Sequence, residues 1–284
     1  MSQDKVVWDW EINGKTSFWS HSLPELWSYR HLMAGLVRRY FLLNYQQTVL
    51  GPLWILFQPI MTLFTYVLVF NKIVGIPTGS LPPVVFYASG IVLWNFFSES
   101  FTGTAATFKD NAQLFSKVYF PRVIVPISVI STHALRLLIQ LLLLFLVIGY
   151  YSVFSDFSIP FNIWILAFPF TILLIGVFGL ALGLFFSVIT AKYRDVTNLV
   201  TLGVRLFMFI TPVIYPLTTV PENLLWLVQL NPLTPLFELF RLSLLGEGFV
   251  TPYQLLYSVS ITALVFVGAT LLFNKQGDKL IDVV

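Results

Sequence analysis

The stretch that decides the fold is residues 161–190, FNIWILAFPFTILLIGVFGLALGLFFSVIT, which contains no charged side chain. A helix needs about 20 apolar residues to cross a hydrocarbon layer of about 30 Å, and this stretch is longer than that. Five further apolar runs lie on either side of it, at residues 53–70, 84–106, 123–150, 199–215 and 254–273. We therefore predict an all-α integral membrane protein with six transmembrane helices.

The composition fits a chain whose solvent is lipid. Apolar residues make up 57% of the 284 residues and charged residues only 10%, whereas a soluble domain carries about 25% charged residues. Cysteine is absent, which excludes disulfides and thiolate ligands, and we expect no metal site. Residues 1–11 carry Asp4, Asp9 and Glu11, unlike a signal peptide, so we expect the first span to act as its own insertion signal.

Basic residues lie mainly on one side of the predicted spans. Of the 16 Lys and Arg residues, only Lys72 and Arg241 fall in segments that would lie outside, while Arg136 and Arg205 fall within spans. Lys and Arg are enriched in the cytoplasmic loops of membrane proteins. The bias predicts that both termini lie in the cytoplasm.

The polar segments and the spans divide the chain into four parts. Residues 1–23 are predicted to be a cytoplasmic segment, residues 24–50 an amphipathic interfacial helix, residues 51–275 the transmembrane domain and residues 276–284 a cytoplasmic tail. Apolar positions in 24–50 recur at steps of three and four residues, which is typical of a helix lying at the membrane surface. The alternative is a helix packed on the protein's own spans with its basic side facing water.

Prolines interrupt the chain repeatedly between residues 212 and 235. Residues 224–230 are apolar but too few to span a membrane. Residues 233–245 form a longer segment, but it carries Glu238 and Arg241 and is also unable to span. Non-spanning structure at membrane depth is tolerated only where protein buries it or water surrounds it. We therefore predict short re-entrant helices over residues 216–245, before the last span, with a surface loop as the alternative.

Five short motifs occur in a fixed order along the chain. They are YQQTVLGPLWILFQP at 45–59, NAQLFSKVYFPRVIVP at 111–126, YRD at 193–195, TPVIYP at 211–216 and NPLTP at 231–235. Together they resemble the membrane (permease) subunit of ATP-binding-cassette (ABC) exporters of the polysaccharide and polyol phosphate export family, which is of the ABC-2 type. The resemblance covers residues 25–275. It implies export of a lipid-linked polysaccharide, with O antigen as the expected polymer and capsule or teichoic acid as the related cargoes.

The resemblance also implies partners and a location. It implies a second copy of this chain, two copies of a separate ABC ATPase, and the bacterial cytoplasmic (inner) membrane; no nucleic-acid partner is expected. The sequence has no GxxxxGK[ST] phosphate-binding loop, so it cannot hold a nucleotide by that route. We therefore expect a permease subunit that is not an enzyme and has no cofactor of its own, with ATP and Mg on the partner subunit.

The loop between spans two and three contacts the ATPase in exporters of this kind. An amphipathic segment suits that role, because apolar side chains can sit in a groove while charges fix the register. A second contact is expected after span four, where Arg194 and Asp195 could equally form a local ion pair. The predicted coupling residues are Phe108, Leu114, Phe115, Lys117, Tyr119, Arg194 and Asp195.

A lipid carrier in this family bears a diphosphate, and arginine binds phosphate oxygens through two parallel hydrogen bonds. Arg38 and Arg39 lie just before the LGPLW motif. We expect them, with Tyr40, Leu50 and Gly51, to form the entrance for the lipid diphosphate. The alternatives are attraction to anionic membrane lipid or a role in setting topology.

A polysaccharide path needs aromatic faces on which sugar rings can slide. The candidates for lining the conduit are Tyr66, Trp94, Phe97, Phe101 and Arg136. Charged side chains inside spans normally face protein or water, and we expect Glu99 to pair with Arg205 while Arg136 has no partner. His133 is expected to serve as a satisfied donor between helices.

The re-entrant stretch is expected to close the outer end of the path, as the resemblance implies. The predicted gate residues are Pro221, Leu224, Leu225, Trp226 and Leu230.

Three other functions compete with this one. A secondary transporter or channel often shows two related halves, and this chain shows no internal repeat. An intramembrane enzyme needs clustered catalytic groups, whereas the spans hold scattered ones. An ABC-type drug or lipid exporter permease of the same architecture differs only in the family motifs.

Overall fold

The structure is a computed structural model, and it describes residues 23–117, 120–155, 157 and 163–280. Within these ranges the chain is helical and contains no β-strand, which confirms the predicted all-α membrane fold. Most of the predicted N-terminal segment and the end of the predicted tail lie outside the described residues.

The described residues form twelve α-helices, joined by short turns. The helices are α1 (Leu23–Ser28), α2 (Arg30–Leu43), α3 (Trp54–Tyr66), α4 (Pro83–Ala105), α5 (Thr107–Asp110), α6 (Ala112–Lys117), α7 (Ile124–Phe154), α8 (Ala167–Lys192), α9 (Val196–Ile210), α10 (Glu222–Gln229), α11 (Leu233–Leu245) and α12 (Pro252–Leu280). Three 3₁₀ turns and one π-helical segment accompany them, at Gly51–Leu53, Ile163–Leu166, Leu217–Thr219 and Val67–Ile73.

Five helical segments of the described chain are long and apolar enough to cross a membrane. They are Gly51–Ile73, Pro83–Ala105, Ile124–Phe154, Ile163–Lys192 and Pro252–Gln276. The remaining predicted span is shorter than expected: α9 has 15 residues, or about 22 Å at 1.5 Å per residue. It ends because Thr211 precedes Pro212 and adopts an extended backbone, as the residue before a proline tends to do.

Helix α4 is the centre of the bundle, and α7 and α8 pack on it. Its side chains Val85, Tyr87 and Phe97 are fully buried. Close approach of α8 to α4 depends on small residues: a Cβ added at Gly183 would overlap Thr104, and one at Gly179 would lie 3.1 Å from the Ser100 Cβ. Small residues of this kind let helices approach closely in lipid, where packing replaces the hydrophobic effect as the driving force.

A second, smaller apolar cluster lies at the end of the bundle that the charge bias assigns to the cytoplasm. It joins α2, α5, α6, the start of α7 and the end of α12 through Leu36, Phe108, Phe115, Ile124 and Phe273. The burial of Leu36 shows that α2 packs on the protein itself, which was the alternative to a purely interfacial helix.

The predicted helix over 24–50 is interrupted. The chain breaks at Tyr29, between α1 and α2, and α2 ends at Leu43. Residues 44–50 form a turn-rich segment, called the connector below, which leads into the first span. It contains the single non-glycine residue with a left-handed backbone in the described chain, Gln47, with φ of 59°.

The predicted re-entrant region contains two short helices, α10 and α11. Helix α11 is buried along nearly its whole length, mainly against α8, which fits the expectation of a protein-buried segment. Helix α10 differs, because its own Leu224 and Trp226 are exposed, and so is Leu230, which follows it. In the single subunit α11 is therefore buried as expected, whereas α10 is largely exposed.

Candidate functional site

Three polar side chains, a carboxylate, an imidazole and a guanidinium group, meet between α4 and α7, within the predicted spans. Glu99 on α4 accepts hydrogen bonds at one carboxylate oxygen, Oε2, from Nδ1 of His133 and Nη1 of Arg136, each at 3.0 Å. His133 and Arg136 lie three residues apart on α7, and so on one face of that helix. We call Glu99, His133 and Arg136 the inner cluster, because it lies toward the end of α4 that is predicted to be cytoplasmic.

The inner cluster corrects two predictions and confirms one. Glu99 does not pair with Arg205, which is exposed on α9, and Arg136 does have a partner. His133 is a satisfied donor between helices, as predicted. Helix α7 has 31 residues and extends about 46 Å, which is longer than a hydrocarbon layer of about 30 Å. The depth of Arg136 therefore does not follow from its distance along the helix, and α7 packs on α4 so that Arg136 lies level with Glu99.

The connector reaches this cluster through Tyr45. The guanidinium carbon of Arg136 lies 5.2 Å from the centre of the Tyr45 ring, within the range of a cation–π contact. His133 approaches α4 closely, because a Cβ added at Gly103 would lie 2.8 Å from its Nε2. Tyr45 opens the YQQTVLGPLWILFQP motif, but the sequence gives it no role because only the folded connector brings it to Arg136.

A second charged pair lies at the opposite end of the bundle, and we call it the outer cluster. Nη1 of Arg241 donates to Oε1 of Glu238 at 3.4 Å, and Nη2 donates to the Val213 carbonyl at 3.2 Å. The guanidinium carbon lies 3.9 Å from the centre of the Phe86 ring. Glu238 also accepts the Phe249 backbone N–H at 3.2 Å. The pair thus joins α4, α11 and the turns after α9 and α11.

The predicted ATPase-coupling residues fall into two groups. Phe108 and Phe115 are buried, and the Phe108 ring stacks on Phe273 with centroids 5.1 Å apart. Both side chains are therefore packed inside the second apolar cluster and have little exposed surface with which to contact an ATPase. Leu114 is half-buried and Lys117 is exposed. Tyr119 lies outside the described residues.

Arg194 and Asp195 are exposed in the turn between α8 and α9. Within the described part of the chain no ion pair joins them, which removes the alternative of a local pair. The Asp195 carbonyl accepts the backbone N–H of Asn198 at 2.9 Å, at the first turn of α9. Both side chains are therefore free to meet another protein.

The predicted diphosphate entrance is partly exposed. Arg38 and Arg39 face away from the bundle on α2, while Tyr40 is half-buried and donates to the Asn111 side-chain oxygen at 2.6 Å. Burial raises the pKa of the Tyr40 hydroxyl to about 12, with Arg39 and the hydrogen bond to Asn111 acting in the opposite direction. Tyr40 thus acts as a neutral donor that ties α2 to the loop after α5.

Leu50 and Gly51 follow at the end of the connector, where both are half-exposed. Gly51 has a φ of 52°, a backbone that glycine adopts without strain. The entrance residues are therefore spread over α2 and the end of the connector.

Most of the predicted conduit residues lie inside the subunit. Trp94, Phe97 and Phe101 are buried, and Phe97 stacks on Phe178 with centroids 5.9 Å apart. Their side chains have almost no surface to offer a substrate in this conformation. Tyr66 is half-buried, and its hydroxyl donates to the Met208 sulfur at 3.5 Å.

Two of the five predicted gate residues line an apolar cavity of about 570 Å³. They are Pro221, just before α10, and Leu224 on α10, and residues 74–77 line the cavity from the loop after the first span. Leu225 is half-buried, whereas Trp226 and Leu230 face outward. The gate residues therefore divide between the cavity wall and the exposed surface of the subunit.

Comparisons with known proteins agree with this architecture. The family model described as "ABC-2 type transporter" matches residues 32–245, more than half of the chain. The O-antigen export system permease protein RfbA of Myxococcus xanthus is 26% identical over 257 residues, covering 90% of this chain and 96% of that protein.

Two proteins from Klebsiella pneumoniae with the same name are also similar. They are 26% and 29% identical over 236 and 238 residues, and each alignment covers 82% of this chain and 86% of the relative. The family match agrees with the prediction of a permease rather than an enzyme. The chain belongs to the ABC-2 type transporter family.

Proposed function

We propose that this chain is the transmembrane subunit of an ATP-driven exporter that moves lipid-linked O antigen across the bacterial cytoplasmic membrane. The observation that carries the proposal is the likeness to three O-antigen export permeases along 82–90% of the chain. The five long apolar helices and α9 supply the membrane path that such a subunit needs.

The energy for export comes from a separate ABC ATPase. The contact surface lies at the cytoplasmic end of the bundle, where Lys109 on α5, Lys117 on α6, and Arg194 and Asp195 in the turn after α8 are exposed. Phe108 and Phe115 support this surface from beneath. The coupling contact is therefore mainly polar, with the apolar side chains keeping its shape.

A second copy of the chain completes the permease. The exposed charge of Arg205 on an apolar helix supports this arrangement, because a charge at membrane depth faces protein or water in most structures. The faces of α3 and α12 are apolar and largely uncovered in the single subunit. They provide surface for both lipid and a second copy, with both termini on the cytoplasmic side.

Reconstitution into vesicles tests the function. The chain is purified with the ABC ATPase encoded nearest to it and placed in vesicles that contain lipid-linked O polysaccharide. We expect polymer to reach the opposite side only when the chain, the ATPase and ATP are all present. Translocation without the ATPase, or ATP-dependent movement of a drug or phospholipid with no movement of the polymer, would overturn the proposal.

A further inference from the structure

Helix α9 packs on the bundle along one narrow stripe. Val200 and Val204 are its buried residues. Phe207 contacts Trp94 and Phe97 of α4, with ring centres 6.4 and 6.1 Å apart. These contacts place Phe207 level with the middle of α4, so the second half of α9 lies at membrane depth.

The uncovered part of α9 has two neighbouring faces of different character. Asn198, Thr201 and Arg205 are exposed and recur at steps of four and three residues, which places them on one side of the helix. We call these three residues the polar stripe. Beside it lies an apolar stripe of exposed side chains, which consists of Leu199, Leu202, Leu206 and Phe209. Lipid suits the apolar stripe, whereas a polar stripe with a charge faces protein or water.

Arg205 has no partner in the part of the chain that the structure describes. Its side chain is exposed and makes no hydrogen bond or ion pair there. It lies about 14 Å along α9 from Val196. An ionised side chain at membrane depth is costly, and such residues mark substrate and ion pathways in many membrane proteins.

A second copy of this chain supplies no anion for Arg205. In the described spans and α11 the acidic residues are Glu99 and Glu238. Glu99 is already paired with Arg136, and Glu238 is already paired with Arg241. Two copies therefore bring a second Arg205 and no unpaired carboxylate to this depth. Water is left as the neighbour of the polar stripe, and a path lined by one sign of charge attracts ions of the other sign.

We propose that the polar stripe of α9 lines a water-filled path, and that Arg205 makes this path selective for a polysaccharide that carries negative charges along its sugar chain. A guanidinium group binds carboxylate and phosphate oxygens through charge-assisted hydrogen bonds. The choice of an acidic polymer over a neutral one rests on the proposed export function. The water-filled path and its positive charge do not depend on that function.

The absence of cysteine from the sequence allows a direct test of the path. Single cysteines are placed at Thr201 and at Leu202, and each purified full-length chain is put into phosphatidylcholine vesicles. Methanethiosulfonate reagents that dissolve in water but not in lipid are then added. We expect Thr201→Cys to react at least about tenfold faster than Leu202→Cys, its matched control at the same depth, because Leu202 lies on the apolar stripe.

The charge of Arg205 predicts which reagent reacts faster at Thr201→Cys. Relative to their rates with free cysteine, a reagent with a negative sulfonate should exceed one with a positive trimethylammonium group by about fivefold or more at low salt. Adding Arg205→Gln should return the ratio to that of free cysteine, whereas Arg205→Lys keeps the charge and the ratio. A merely structural role of Arg205 would leave the ratio of the two reagents unchanged in all three chains.

Protection by soluble sugars tests the class of cargo. An uncharged methanethiosulfonate reagent is used with either oligogalacturonate, which carries one carboxylate per sugar, or a neutral maltooligosaccharide of equal length. We expect the acidic chain to slow modification of Thr201→Cys at least about threefold more than the neutral one. Arg205→Gln should remove this difference.

Equal protection by the two sugars, or a difference that survives in Arg205→Gln, would overturn the selection of an acidic polymer. Equal rates at Thr201→Cys and Leu202→Cys, or a reagent ratio that Arg205→Gln leaves unchanged, would overturn the charged path. The measurements need no ATPase and no ATP. A failure here therefore leaves the export proposal standing, and a failure of export leaves the path standing.

Discussion

The two charge clusters of this protein are built from similar residues but sit in opposite kinds of environment. In the outer cluster, Glu238 is 6% and Arg241 is 2% exposed, and backbone groups from two turns hydrogen-bond to them. In the inner cluster, Glu99 is one-third exposed, and the Tyr45 ring of the connector lies over Arg136. In both clusters the arginine Nε has no hydrogen-bond partner among the described residues, so the clusters differ in burial: the outer one is inside the bundle, and the inner one borders the surface.

The difference in burial predicts that the two clusters contribute differently to the stability of the fold. A buried ion pair stabilises only when its remaining hydrogen bonds are satisfied, and removing one partner leaves an isolated buried charge. The outer cluster therefore holds α11 and the turns around it to α4. The inner cluster is partly exposed, so solvent screens its charges and the loss of one partner costs less there.

The largest expected effect comes from breaking the outer cluster. Arg241→Met leaves the Glu238 carboxylate buried without its cation, which destabilises the fold by about 3–5 kcal/mol. Thermal unfolding of the purified chain in detergent measures this loss. The double variant Glu238→Leu with Arg241→Met removes both charges and should recover much of the stability. A melting temperature for Arg241→Met equal to that of the unaltered chain would show that the outer cluster is not structural.

One glycine lies beside each charge cluster, Gly90 at the outer one and Gly103 at the inner one. A Cβ at Gly90 would lie 2.6 Å from the Val213 carbonyl oxygen, beside Arg241, whereas one at Gly103 would lie 2.8 Å from the His133 ring. The Val213 carbonyl is part of the backbone and cannot shift easily to make room for the added Cβ, whereas the His133 side chain can. Overpacking costs about 1–3 kcal/mol, and the helix propensity of alanine offsets about 1 kcal/mol of it.

We therefore expect Gly90→Ala to lower the unfolding free energy by about 1–2 kcal/mol and Gly103→Ala to change it by less than about 1 kcal/mol. The measurement is thermal unfolding of both variants in the same detergent. Equal losses would mean that the two clusters are equally rigid.

Much of the fold follows from the sequence because lipid imposes a simple rule. Every backbone group in a spanning segment has to be satisfied within the helix, so apolar runs and prolines mark where helices begin and end. The shortness of α9 could also have been anticipated, since Pro212 stops the helix. The break at Tyr29 carries no such mark, because the apolar periodicity continues through it.

The site was harder to predict because it depends on how helices are aligned with each other. The partner of Glu99 is set by the height at which α7 packs on α4, and the sequence does not give that height because α7, with 31 residues, is longer than a span requires. The burial of Phe108 and Phe115 depends on the end of α12, more than a hundred residues later. Amphipathic spacing predicts that such side chains are buried, but it does not tell whether a partner protein or the chain's own helices bury them.

Thermal unfolding of Arg136→Met and Arg241→Met in the same detergent tests whether burial separates the two clusters. Glu99 keeps His133 as a partner and is one-third exposed, so Arg136→Met should lower the unfolding free energy by about 1 kcal/mol or less. Arg241→Met should lower it by about 3–5 kcal/mol. Equal losses in the two variants would contradict the account.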